Sequence, residues 1–189
     1  MKKQKKLVVG NWKMNPQSLD EAKEIVREVK KITAKLKKTE VVLCPPFVYV
    51  GSVSSSPKNN IYFGAQDAHP EASGSFTGEV SSSQLYQFGV RFVIVGHSER
   101  RKMGESDELV NKKVKSVLGE GMTAILCVGE DKRDHHGEYF NFIKSQILLG
   151  LKDVQKKVLL RVVIAYEPIW AIGAKEAVKP SELHEMSIF

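Results

Sequence analysis

The sequence predicts an α/β fold whose core is a parallel β-sheet. Six short apolar runs rich in Val, Ile and Leu alternate along the 189 residues with segments whose apolar side chains recur at helical spacing. Neighbouring runs are not joined by two-residue hairpin turns, so each strand is expected to return to the sheet through a helix. Such connections form right-handed β-α-β units with parallel strands. The predicted strands are residues 7–9, 41–44, 61–65, 92–95, 123–128 and 162–165.

The predicted helices are marked by capping residues and by an apolar stripe. Ser18 and Glu21 have the spacing of a capping box, and they precede a helix whose other face carries lysines and glutamates. Ser106 is predicted to cap a later helix that ends near Gly119, and Pro180 is predicted to begin the last one. Further helices are predicted around residues 48–53, at 84–87 and from Phe140 to Val154.

Composition indicates one globular domain over residues 1–189, although a complete barrel enzyme usually needs roughly 250 residues. The net charge of +7 includes four lysines before residue 7, and the other lysines are scattered over predicted helices. This pattern favours a solvated face, because no zinc-ligand spacing, aromatic RNA-binding motif or arginine stripe accompanies the charge. We therefore expect no nucleic-acid partner, while a phosphorylated small molecule needs only a local positive field.

The apolar runs and the two cysteines favour a soluble protein of the cytoplasm. No apolar window approaches the length of a membrane span, so no membrane partner is expected. Cys44 and Cys127 both lie in predicted strands without metal-ligand spacing, which is typical of buried thiols in a reducing compartment. A single disulfide between them is the alternative, and no metal site is predicted.

Two architectures fit alternating strands and helices: an open doubly wound sheet and an eight-stranded barrel. Nucleotide-binding open sheets usually carry a glycine-rich turn after the first strand. Here that turn begins Gly10, Asn11, Trp12, Lys13, without a dinucleotide-binding or P-loop pattern. The barrel is therefore favoured, and in a barrel the chemistry collects at the carboxyl ends of the strands.

Glu167 is the strongest single candidate for a catalytic group. It follows the apolar run 162–165, which is predicted to be buried on both faces, and precedes Pro168 and an apolar segment that ends at Gly173. An acid at a strand end beneath an apolar flap is typical of catalysis. Taken alone, Glu167 is better interpreted as an exposed structural acid, His97 as a helix-start residue and Lys13 as a surface cation.

Four sequence motifs, all in register, favour the catalytic interpretation of these residues over the structural one. They are N-W-K-M-N at residues 11–15, G-S-F-T-G-E-V at 74–80, G-H-S-E-R-R at 96–101 and A-Y-E-P-I-W-A-I-G at 165–173. Together they closely resemble triosephosphate isomerase over essentially the whole chain. The resemblance implies a TIM (β/α)8 barrel of the α/β class, here truncated to about six β-α units, because two further units of the family have no counterpart before Phe189. The edges of the first and sixth strands are then expected to be exposed.

The resemblance also implies an aldose-ketose isomerase that interconverts dihydroxyacetone phosphate and glyceraldehyde 3-phosphate through an enediolate, with no cofactor. Glu167 would be the base, His97 a neutral electrophile at a helix start, and Lys13 the cation for the phosphate and the oxyanion. Substrate would also be bound by Asn11 and by the backbone N–H of Gly173. Ser98 is expected to support the glutamate and Glu99 to orient Lys13, while Arg100 and Arg101 are interpreted mostly as a structural ion-pair cluster.

The resemblance implies a homodimer in which the loop around Thr77 inserts beside the Lys13 turn of a second subunit. The lid, from Trp170 to about Val178, departs from the usual pattern at Lys175, Glu176 and Ala177. The rival expectation is a catalytically silent fragment that folds only with a complementary chain.

Overall fold

Six parallel strands form one continuous sheet in the order in which they occur along the chain. The structure is a computed structural model that describes residues 5–55, 60–134, 136–173 and 177–189. All five neighbouring pairs are parallel, as predicted. The strands are β1 (Lys6–Asn11), β2 (Thr39–Cys44), β3 (Ile61–Ala65), β4 (Val90–Val95), β5 (Thr123–Val128) and β6 (Val162–Tyr166).

Helices connect successive strands, and the strands follow sequence order without the reversal of a doubly wound sheet, so the fold is part of a (β/α)8 barrel. Their bounds are α1 (Leu19–Thr33), α2 (Phe47–Val53), α3 (Ser82–Gln87), α4 (Ser98–Lys102), α5 (Asp107–Gly119), α6 (Glu138–Gly150) and α7 (Pro180–Ile188). Two 3-10 helices lie at Lys156–Arg161 and Ile169–Ala171. Within the described ranges, no helix combines the length and the apolar character that crossing a bilayer requires.

The two faces of the sheet bury different sets of side chains. Alternate residues of the strands, including Val42, Cys44, Ile94, Ile125 and Cys127, pack together on the concave side. Residues of opposite parity pack against the helices, as Leu43 does against Ala22 and Val26 of α1. Each fully buried aliphatic side chain contributes about 1.5–3 kcal/mol, so this double burial fixes which strand positions face inward. Because all six strands run parallel, their carboxyl ends lie at one rim of the sheet.

The predicted elements are found, with corrections at their ends. At α1 the Ser18 hydroxyl accepts a hydrogen bond from Glu21 N at 3.2 Å, but no return bond among the described residues completes the predicted box. A complete capping box is formed by Ser81, the N-cap of α3, and Gln84. The predicted helix from Phe140 to Val154 ends at Gly150. A Cβ at Gly150 would lie 3.1 Å from a Leu126 methyl, so the helix closes tightly on β5 and then turns away. Sequence reasoning expected a helix start at His97, where α4 begins, but it missed both 3-10 helices, which are too short to show a period.

The prediction that the sixth strand is buried on both faces is wrong. Every residue of β6 is at least partly exposed, and Ile164 is 42% exposed. Within the described ranges β6 pairs only with β5, as β1 pairs only with β2. The expected exposed edges are therefore present, since burial of a strand depends on its neighbours as well as on its own composition.

Candidate active site

His97 lies in a turn that fixes both its position and its hydrogen bonding. It follows β4 through Gly96, whose φ of 70° is in the left-handed region, and it is the N-cap of α4. Its Nδ1 accepts a hydrogen bond from Glu99 N at 3.2 Å, and the residue is 9% exposed. Nδ1 is thus the acceptor in this turn, and Nε2 is left as the ring nitrogen that can donate.

Glu167 is held at the end of β6 by a close approach to β5. Its N–H donates to Val128 O at 2.8 Å, which continues the ladder between the strands. A Cβ on Gly129 would lie 1.8 Å from Glu167 O, so only glycine fits there. The carboxylate Oε1 lies 3.5 Å from His97 Nε2, and Oε2 is buried without a hydrogen bond in the described part of the chain. An acceptor and a donor therefore face the same small space.

Lys13 adds a cation to this rim from the end of β1. Its φ of 53° is unusual for a residue with a side chain and costs of order 1 kcal/mol. Two hydrogen bonds hold this conformation: Lys13 N donates to Asn11 Oδ1 at 2.9 Å, and Gln66 Nε2 donates to Lys13 O at 2.8 Å. Gln66 also donates to Cys44 O at 2.9 Å, so it ties β1 to β2 beneath the site.

The ion pair expected between Lys13 and Glu99 is present. Lys13 Nζ donates to Glu99 Oε1 at 2.6 Å, although both side chains are about half exposed. This hydrogen bond is the main reason that the pKa of the Glu99 carboxyl is lowered. Because Glu99 also donates its N–H to His97, one residue connects the cation to the imidazole.

The remaining predicted site residues are placed less closely. Ser98 is buried, but its hydroxyl makes no hydrogen bond with Glu167 or with any other described residue. Thr77 lies exposed in the long loop, and Gly173 follows the second 3-10 helix with a left-handed φ of 75°. Of the predicted lid, Lys175 and Glu176 lie outside the described residues.

A buried carboxylate anchors the segment that follows Glu167. Glu130 is 2% exposed, and its Oε1 accepts from Tyr166 Oη and Trp170 Nε1, both at 2.8 Å, and from Arg133 Nε at 3.3 Å. Arg133 also bonds Glu185 of α7. Burial and the bond to Glu130 raise the pKa of Tyr166 to about 12, so the hydroxyl remains a donor at neutral pH. This Glu130 cluster holds the root of the predicted flap.

A second charged cluster lies below the long loop. Lys113 is 2% exposed, and its Nζ donates to both Asp67 carboxylate oxygens at 2.7 and 2.8 Å and also pairs with Glu105. Arg100 pairs with Asp67 at 2.8 Å. The arginine of the turn that begins at His97 thus connects that turn to the base of the loop that carries Thr77.

Comparison with known proteins agrees with this geometry. The family model described as triosephosphate isomerase matches residues 6–189. A protein of Clostridium botulinum (strain ATCC 19397 / Type A) named triosephosphate isomerase is 42% identical over 182 residues, which cover 95% of this chain and 73% of the relative. Proteins of the same name from Endomicrobium trichonymphae and Chloroflexus aurantiacus are each 40% identical, covering 98% and 95% of this chain and 75% and 73% of their own lengths. The chain belongs to the triosephosphate isomerase family.

The rim of this triosephosphate isomerase family member combines the three residues that the sequence singled out for chemistry. Glu167, His97 and Lys13 come from the ends of β6, β4 and β1, and Glu99 joins the last two through direct contacts. The rim therefore places a carboxylate, an imidazole and an ammonium group near one another. The chain is accordingly an isomerase of this family by relationship.

Sequence reasoning missed Gln66, Glu130 and Gly129 as residues of the site. In the sequence Glu130 is only the start of a charged stretch, and Gln66 only the start of a loop. Gln66 and Gly129 come directly after predicted strands and Glu130 one residue later, and that position is the signal that could have identified all three.

Proposed function

We propose that this chain interconverts dihydroxyacetone phosphate and D-glyceraldehyde 3-phosphate through an enediolate, as an enzyme of glycolysis and gluconeogenesis. The observation that carries the proposal is the 3.5 Å separation between Glu167 Oε1 and His97 Nε2 at one rim of the sheet. Glu167 removes a proton from the carbon beside the carbonyl, and the electron pair moves onto the carbonyl oxygen. His97 donates its Nε2 proton to the negatively charged oxygen of the enediolate and takes a proton back from the neighbouring hydroxyl, whose oxygen becomes the new carbonyl. Glu167 returns its proton to the neighbouring carbon.

Neutral His97 suits this task because its Nδ1 already accepts the Glu99 N–H. An imidazolium would have to point a second donor at that N–H, so the turn favours the form with one proton on Nε2. A preorganised donor in such a site lowers the barrier by several kcal/mol, which corresponds to about 10²–10³-fold in rate.

Lys13 and Asn11 are proposed to bind the anionic end of the substrate. The Lys13 ammonium is held by Glu99 at 2.6 Å yet remains 45% exposed in its side chain, so it can contact a phosphate at the rim. Asn11 uses Oδ1 for Lys13 N, which leaves its amide NH2 group as a donor for substrate. The backbone N–H of Gly173 is proposed as a phosphate donor beneath the lid, with Ser98 and Glu99 as supporting residues.

A cytoplasmic homodimer is the proposed setting of this activity, with no cofactor. Thr77 lies on an exposed loop beyond Asp67, and the charged cluster of Asp67, Lys113 and Arg100 fixes the base of that loop. A rigidly based, exposed loop is well suited to insert beside the Lys13 turn of a second subunit.

The proposal is tested by an isomerase assay of the purified 189-residue chain in both directions, with Glu167→Gln as the matched control. The amide keeps the size of the side chain and removes the base, so kcat should fall at least about 10²-fold, the lower range for loss of general base catalysis. Activity of the chain no higher than that of Glu167→Gln would exclude the enzyme function for this chain.

The exposed edges favour a second candidate, a silent chain that acts only after pairing with a complementary chain. Val8 of β1 is 52% exposed and Ile164 of β6 is 42% exposed, both large apolar side chains at the open edges of the described sheet. This candidate predicts no activity for the chain alone and recovery of activity when a complementary chain is added.

A further inference from the structure

Arg101 contacts three segments that meet directly beneath the candidate active site. Its Nε donates to Gly96 O at 2.8 Å, one terminal nitrogen donates to Asp107 Oδ1 at 2.6 Å, and the other lies 3.5 Å from Cys127 O. The side chain is 15% exposed. The planar guanidinium can serve three directions at once, which a lysine ammonium on a flexible stem cannot do in the same geometry.

Two of these contacts lie next to the residues that carry the proposed chemistry. Gly96 directly precedes His97, and its left-handed backbone packs so closely that a Cβ would lie 3.0 Å from the guanidinium. Cys127 directly precedes Val128, whose carbonyl accepts the Glu167 N–H at 2.8 Å. A single side chain therefore connects the turn of His97 with the strand end that holds Glu167.

A small cavity lies between Arg101 and the Glu167 carboxylate. Its space for a water-sized sphere is about 10 Å³, close to the volume that admits a single water. Ser98 and Cys127 complete the part of its wall that matters here, and both Ser98 Oγ and Glu167 Oε2 are buried without a hydrogen bond in the described part of the chain. Arg101 and Glu167 thus line the same small cavity.

The charge of Arg101 is largely balanced by Asp107 at 2.6 Å, so its field at Glu167 is that of a tight pair and falls off quickly. The hydrogen bonds of Arg101 to two backbone carbonyls are directional, and the negative charge of Asp107 does not cancel them. Arg100, the other arginine of the turn, points to Asp67 and is 41% exposed, so it does not share this role.

We propose that Arg101 is a positioning residue that sets the separation of His97 and Glu167 by bracing Gly96 and Cys127 against α5. The inference rests on the proposed isomerase function for its kinetic consequence, while the positional consequence is independent of activity. Loss of the brace leaves two backbone carbonyls without their donor and allows the two strand ends to move apart. A misplacement of about 1 Å at such a site costs about 10²-fold in rate.

The test compares Arg101→Lys and Arg101→Ala with Arg91→Lys and Arg91→Ala. Arg91 is a suitable control because it also donates to backbone carbonyls, those of Tyr86 and Val90, but lies at the amino end of β4. We expect Arg101→Lys to lower kcat by about 10–100-fold with KM changed less than about threefold. Guanidinium ion added to Arg101→Ala should restore part of the lost kcat and should not affect Arg91→Ala. If Arg101→Ala does not fold, Arg101→Lys alone still tests the proposal.

Nitrogen NMR of the His97 ring supplies the readout that does not need activity. In Arg101→Lys the Nδ1 and Nε2 signals should shift relative to the unsubstituted chain, because the His97 turn loses its anchor, whereas Arg91→Lys should leave them unchanged. An inactive unsubstituted chain would contradict the proposed function, and the NMR comparison would then decide the role of Arg101 alone. Unchanged His97 signals in a folded Arg101→Lys, with kcat equal to that of Arg91→Lys where activity is present, would overturn the inference and reduce Arg101 to a structural ion pair.

Discussion

Gly129→Ala should damage the site more than its single added methyl group suggests. An ideal Cβ at Gly129 lies 1.8 Å from the carbonyl oxygen of Glu167 and 2.7 Å from its carbonyl carbon. Real Cβ atoms essentially never approach closer than 3.0 Å, so β5 and β6 must separate locally by about 1.2 Å. Both partners are backbone atoms, and neither can rotate away.

The cost follows from that displacement. Overpacking at a well-packed position costs about 1–3 kcal/mol, and lengthening the hydrogen bond from Glu167 N to Val128 O adds about 0.5–1.5 kcal/mol. The free energy of unfolding should fall by about 1.5–4.5 kcal/mol. A shift of about 1 Å in Glu167 should lower kcat by about 10²-fold, since the carboxylate no longer lies 3.5 Å from His97 Nε2.

Gly119→Ala is the matched control for this prediction. Gly119 is the last residue of α5, and apart from its chain neighbours and the backbone of α5 itself no described atom lies within 4 Å of an ideal Cβ there, so the added methyl group meets open space. It should leave kcat unchanged and raise the free energy of unfolding by up to about 1 kcal/mol. Urea unfolding and isomerase kinetics measure both quantities. Equal stability and equal kcat in the two alanine variants would refute the proposed contact between Gly129 and Glu167.

Three further predictions test burial and the charged clusters. Burial raises the pKa of the Cys44 and Cys127 thiols to about 12, so the folded chain should react with a thiol reagent at pH 8 far more slowly than in urea. The free energy of unfolding should also fall as pH rises above about 9, because the unfolded thiols then lose protons and the folded ones do not. Rapid labelling of the folded chain would contradict this. Lys113→Met leaves buried carboxylates without their ammonium and should cost about 3–5 kcal/mol in urea unfolding, and a loss below about 1 kcal/mol would show that the cluster relaxes freely. Trp170→Phe removes the indole donor to Glu130 at 2.8 Å, worth about 1.5 kcal/mol, so amide exchange at the flap root should be about tenfold faster, and unchanged exchange would show that this bond does not hold the flap.

The fold could be predicted because its strand signal is local. Runs such as 123–128 are short, β-branched and bounded by glycines, and the absence of hairpin turns then requires parallel pairing. The exposure of β6 could not be predicted from residues 162–165, because a run of the same composition is buried or exposed according to what lies beside it. Local pattern therefore determines the element, and its neighbours determine its burial.

The site divides in the same way. Glu167, His97 and Lys13 could be identified because each stands in a distinctive motif directly after a strand. The contacts of Gln66 with Lys13 and Cys44, and those of Glu130 with Tyr166 and Trp170, join residues 22 to 53 positions apart, and no local period records them. Gln66 contacts backbone carbonyls beneath the site, and Glu130 contacts side chains on either side of Glu167.

Arg101 illustrates why such supports are hard to assign from sequence. Its motif suggests an ion pair, and the pair with Asp107 is there at 2.6 Å, six residues away. The bond to Gly96 is local as well, but the approach to Cys127 depends on β4 and β5 ending at the same height, which is a property of the sheet register rather than of either segment. Arg101 can brace the ends of β4 and β5 only after these strands have paired. Its effect on the positions of His97 and Glu167 therefore cannot be read from either segment alone.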